Sequence, residues 1–138
     1  MDDHKLTALV KQIRAAFERT HSQMTGDDLW DFPNCCCEPV SILAHAVLVG
    51  HGYTDTRIYQ GMFDDGTGHY WLRTDGMYID ITHDQEAISG AKLYGFTLDD
   101  HPYEETYVYK LSSEDIAERV VRLRLQSDIE NFMKECLT

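Results

Sequence analysis

From Asp3 to about Thr20, Leu6, Leu9, Val10, Ile13, Ala16 and Phe17 recur at steps of three and four, which predicts a helix packing one apolar stripe on a core. The period fails over His21 to Asn34, where Gly26, Asp27-Asp28 and Pro33 interrupt it. That stretch reads as an ordered connection pinned by Trp30 and Phe32. Val40, Leu43, Ala44, Val47 and Leu48 then supply a second apolar face, broken only by Ser41 and His45. Pro39 suits the first turn of this helix, because its missing N–H has no partner there, and Gly50 and Gly52 end it. A helix so uniformly apolar is expected at the centre of the molecule, and Cys35-Cys36-Cys37 stands at its start.

Beyond Gly52 the period changes to two. Arg57 to Phe63 has the aromatic and β-branched content of a strand, and residues 64–68 form a loop. His69 to Thr74 and Met77 to Thr82 are two strands joined by Asp75-Gly76, a strong hairpin signal. A two-residue turn pairs Thr74 with Met77, Leu72 with Ile79 and Tyr70 with Ile81, gathering apolar side chains on one face. His69, Trp71 and Arg73 then share the other face with Tyr78, Asp80 and Thr82. On it His69 is diagonal to Asp80, a backbone separation of roughly 7–8 Å that side chains can close.

The pattern weakens over residues 83–104, where Ala91 to Thr97 suggests a short strand and Asp99 to Pro102 a turn. Glu105 to Leu111 alternates as a strand. Ser112-Ser113-Glu114-Asp115 is a helix start, and one helix is read from there to about Glu135. The order of elements implies a single α+β domain over residues 1–138, with packing helices at both ends.

Composition narrows the functions open to such a domain. Twenty-four acids against 12 Lys and Arg leave a net charge of -12, which disfavours nucleic acid and anionic membrane surfaces; the charge reads first as a device for solubility, with a basic substrate or partner protein as the sharper alternative. The acidic N-terminus does not read as a signal peptide, and no apolar run approaches a membrane span. Three contiguous cysteines among four make a poor disulfide framework, so reduced thiols and a cytoplasmic location are expected.

A thiol at a helix N-terminus meets free N–H groups and the positive end of the helix dipole, which favour thiolate. An imidazole beside it and a carboxylate behind the imidazole complete a nucleophilic site, and the chain offers Cys37, His69 and Asp80 in that order. First-turn amides would serve as oxyanion donors. Asn34, Trp30, Trp71 and Cys36 are candidates for the substrate wall or the oxyanion pocket. A structural zinc site fits poorly, since no second cysteine cluster follows, and nothing calls for a cofactor. Redox sensing by vicinal thiols is a further use of the cluster.

Phe32-Pro33-Asn34-Cys35-Cys36-Cys37 leading into an apolar helix, then Gly68-His69-Tyr70-Trp71-Leu72, then Tyr78-Ile79-Asp80-Ile81-Thr82, resembles the transglutaminase-like branch of papain-fold cysteine enzymes. The likeness spans about Phe32 to Gln85. It implies a papain-like core, a central helix bearing cysteine at its N-terminus against an antiparallel sheet. It also implies Cys37 as nucleophile, His69 as base and Asp80 as orienter, with a protein, peptide or small acyl or amide substrate. The family commonly has a small residue two before the nucleophile; Cys35 stands there, which keeps Cys36 as an alternative nucleophile. The competing expectation is an acidic binding or inhibitor protein that keeps the fold without turnover.

Overall fold

The computed structural model describes residues 3–32, 36–62, 68–81, 97–98 and 107–136. Helix α1 (Asp3–Thr20) is followed by two 3-10 turns, His21–Gln23 and Leu29–Asp31, and by α2 (Cys37–Gly50). The strands are β1 (Arg57–Met62), β2 (Gly68–Thr74), β3 (Met77–Ile79), β4 (Thr97–Leu98) and β5 (Tyr107–Lys110), and α3 (Ser113–Arg122) and α4 (Gln126–Cys136) close the chain. The strands form one antiparallel sheet in the order β4-β3-β2-β1-β5, so the fold is α+β and β2 lies at the sheet's centre.

The periodicities account for the core. The stripe of α1 is buried from Leu6 to Phe17, and α2, apolar on most sides, buries Pro39 to Ala44 together with Val47 and Leu48. Ile58, Leu72 and Ile79 contribute the sheet's side of the same cluster, and Leu125 and Phe132 the C-terminal side. Truncating a residue such as Leu43 in this setting costs about 2–5 kcal/mol.

The hairpin has the register that its turn dictates, with Thr74 opposite Met77 and Leu72 opposite Ile79. Asp75 and Gly76 are both left-handed, φ 53° and 76°, as a primed two-residue turn requires. The expected pairing of Tyr70 with Ile81 is not part of the ladder, because β3 stops at Ile79. The Ile81 carbonyl instead accepts from Arg14 Nη1 at 2.7 Å.

Two expectations are corrected. The C-terminal helix is two helices: Arg124 takes φ 59°, and Arg124 N and Leu125 N donate to the Val121 and Val120 carbonyls at 3.1 and 2.9 Å, a Schellman end to α3 without its usual glycine. Burial of Leu123 and Leu125 on either side and pairing of the Arg124 guanidinium with Asp27 stabilise the break. The other correction concerns Trp30, which is 73% exposed and pins nothing. Phe32 does pin, stacking on Phe17 at 5.3 Å, and the adjacent anchors are buried Leu29 and the Asp128 carboxylate, which accepts from Thr25 N at 3.0 Å and Gly26 N at 2.6 Å. Asn34, Cys35, Thr82 and the elements expected over residues 83–96 and 99–104 lie outside the described residues.

Candidate active site

Cys37 is the first residue of α2 and is half-buried. Cys36, its N-cap, is 0% exposed and belongs to the core cluster. Of the two candidate nucleophiles, only Cys37 is therefore partly exposed. The cap side chain makes no hydrogen bond to the helix, and Pro39 has no N–H, so the Cys37 and Glu38 amides are the first-turn donors left uncapped.

His69 stands on the central strand and is 0% exposed. Its Nε2 bonds Asp80 Oδ2, and Cys37 is close enough to the ring to act on it, as a smaller influence than Asp80. Asp80, immediately after β3, is 1% exposed and accepts a second bond on the same oxygen from Tyr78 Oη at 2.7 Å. Burial acts against the imidazolium, but the Asp80 charge and hydrogen bond, with the smaller contribution of Cys37, outweigh it and push the His69 pKa up to about 10. The resting ring is thus charged at neutral pH, bonded to the Asp80 carboxylate.

The imidazole is held by packing as well. Trp71 stacks against it, ring centres 6.3 Å apart and planes 20° from parallel, and Tyr59 and Tyr78 flank Trp71 at 5.8 and 6.4 Å. Trp71 is buried, so it supports the back of the histidine and does not form the wall of a substrate cleft. Trp30, on the turn before the cysteines, faces solvent instead.

A second set of contacts fixes the start of α2. Glu38 Oε2 accepts from Tyr70 Oη at 2.9 Å, Arg119 Nε at 3.0 Å and Arg122 Nη2 at 2.8 Å, joining β2 and α3 to the residue after Cys37. Arg14 plays the matching part for Asp80. It is buried in the stripe of α1, lies over the Phe32 ring at 4.6 Å, and holds the carbonyl of Ile81, the residue after Asp80. Sequence reasoning gave no role to Glu38, Arg14 or Tyr78. The signals present were a carboxylate in a helix's first turn beside a thiol, an arginine within an apolar stripe, and a tyrosine two residues before the acid on one strand face.

Cys136 is buried, which pushes its thiol up to about 11 and leaves it unreactive. Among the described residues, no group of three or more His, Cys, Asp or Glu side chains could hold a metal ion, and no helix is long and apolar enough to cross a membrane. No family model, curated protein or solved structure matches the chain.

Proposed function

We propose that this chain is a thiol enzyme with a papain-like, transglutaminase-type core, a hydrolase or acyltransferase acting on an amide or thioester through Cys37, His69 and Asp80. One observation carries the reading: a solvent-inaccessible imidazole is bonded to a buried carboxylate, and a helix-start thiol is near enough to act on the same ring. A buried ion pair of this kind is costly to build for stability alone, and it matches what a nucleophilic thiol requires. The apolar helix packed on an antiparallel sheet supports the same reading.

In the proposed cycle the Cys37 sulfur adds to the substrate carbonyl carbon while the carbonyl electron pair moves to oxygen, where the uncapped first-turn amides of α2 can donate. The intermediate collapses with departure of the amine, which takes the proton of the His69 imidazolium. Acylation removes the thiolate charge that had helped to hold that proton. Neutral His69 then accepts a proton from water or an incoming amine as it attacks the thioester, and Cys37 leaves as thiolate beside the restored imidazolium. The substrate is a protein, a peptide or a small amide, with a basic one favoured by the net charge of -12. The unbridged thiols of Cys36, Cys37 and Cys136 suit a reducing, cytoplasmic setting.

Acylation by p-nitrophenyl acetate tests the proposal. The expected product after acid quenching is one acetyl group on the Cys37 peptide, absent in Cys37→Ala and strongly reduced in His69→Ala. Acetyl groups on lysines with Cys37 unmodified would count against it.

A further inference from the structure

Eight residues after Cys37, about 12 Å along α2 at 1.5 Å per residue, His45 opens onto a cavity. It is about 400 Å³ in volume and is lined by His45, Arg57, Lys110, Leu111, Ser113 and Ile116 among others, with no carboxylate among the described residues of its wall. Three elements meet there. Lys110 of β5 is opposite Tyr59 of β1, Leu111 N donates to Ile58 O at 2.9 Å, and α3 begins immediately afterwards.

The charge arrangement is unusual for this chain. With 24 acids for 12 Lys and Arg, cations should readily find carboxylates, and Arg14, Arg19, Arg119, Arg122, Arg124 and Lys134 all do. Lys5, Arg57 and Lys110 are exceptions among the described residues, and the last two share one cavity. Arg57 Nη1 donates to the carbonyls of Thr54 and Thr56 at 3.3 and 2.9 Å, and neither cation has a carboxylate within ion-pairing distance. Asp55, whose carboxyl feels the Arg57 charge, is taken up by Thr74 Oγ1 and Asp75 N, each at 2.9 Å. At the head of α3, Ser112 and Asp115 cap each other, so Asp115 is also engaged. Burial lowers the His45 pKa, a backbone hydrogen bond with Thr56 opposes this, and the nearby Arg57 charge lowers it further. Among the described residues, therefore, no carboxylate is bonded to either cation of this cavity, and Asp55 acts on Arg57 only through space.

We infer that the cavity binds a phosphate-class oxyanion between Arg57, Lys110 and His45, with Leu111 and Ile116 as an apolar wall for the organic part of a phosphate monoester. A doubly charged oxyanion supplies acceptors to both cations and turns the repulsion on His45 into attraction. The inference stands apart from the thiol chemistry.

The test follows the His45 ring by NMR in the full chain during titration with orthophosphate and with phenyl phosphate, at ionic strength held constant with chloride. Expected are a saturable shift of the His45 signal, a raised titration midpoint, and an affinity weakened about tenfold, or about 1.4 kcal/mol, by Lys110→Glu or Arg57→Gln. Lys134→Glu should leave the affinity unchanged. Tighter binding of phenyl phosphate identifies an organic phosphate as the ligand class, and equal affinity identifies inorganic phosphate. A His45 response no larger than that to chloride, or affinity unaltered in both Lys110→Glu and Arg57→Gln, overturns the inference.

Discussion

Tyr78 Oη lies 2.7 Å from Asp80 Oδ2, the oxygen that also accepts from His69 Nε2. Two donors on one buried oxygen fix the carboxylate in position and orientation, so the imidazole is aimed from behind. Tyr78→Phe keeps the ring beside Trp71 and removes one donor; a hydrogen bond to a charged group is worth about 1.5–3 kcal/mol. Urea denaturation should register a loss of that order, together with slower alkylation of Cys37. An unchanged midpoint would mean that the tyrosine hydroxyl contributes nothing to the site.

The raised pKa of His69 has a defined signature in stability. A group whose pKa rises on folding from 6.5 to about 10 contributes stability that is complete below pH 6.5 and is lost as pH climbs toward 10. Tyr70, pushed up to about 12 by burial, and Cys136 act in the same direction but only above their ordinary values of 10.0 and 9.0. A Cys37 thiolate in the native protein would offset this slope, so the interval from pH 6.5 to 9 isolates His69 only in the Cys37→Ala variant. Unfolding free energy of Cys37→Ala should decline across it, and adding Asp80→Asn should flatten the decline. A Cys37→Ala profile already flat there would contradict the coupling of His69 to Asp80.

Glu38→Ala removes the acceptor shared by Tyr70, Arg119 and Arg122. Because the carboxylate is one-fifth exposed and its partners are partly screened, the expected loss is modest, about 1–2 kcal/mol. The more specific expectation is faster amide exchange in α3, which loses its tie to α2. Unaltered exchange in α3 would show that its docking is independent of Glu38.

Gly26 is the closest approach of the connecting segment to α4. A Cβ there would collide with Leu125 Cδ2 and come within 2.9 Å of Asp128 Oδ2, the oxygen that accepts the Gly26 amide. Overpacking of this kind costs about 1–3 kcal/mol, so Gly26→Ala should lower the denaturation midpoint accordingly. A neutral substitution would mean that the loop shifts freely.

How far the sequence could be read depended on whether a signal was local. The stripe of α1, the Pro39 start of α2 and the Asp75-Gly76 turn are set by neighbours in the chain, and the His69 and Asp80 relationship followed from turn length alone. The break at Arg124 was hidden because no glycine or proline marks it; two buried leucines and a distant Asp27 stabilise it instead. Trp30 looked like an anchor because tryptophans usually bury, whereas the anchoring falls to Leu29, Phe32 and Asp128 from another helix. The Glu38 and Arg14 contacts join residues 32 to 84 positions apart, and no local pattern encodes such partners.

The reactivity of Cys37 is the most direct test of the central claim. Iodoacetamide at about pH 6, where an ordinary thiol is almost wholly protonated, should alkylate Cys37 far faster than the other cysteines, and His69→Ala should abolish the difference. Slow and equal labelling of all four cysteines in the native protein would contradict a thiol activated by His69 and Asp80.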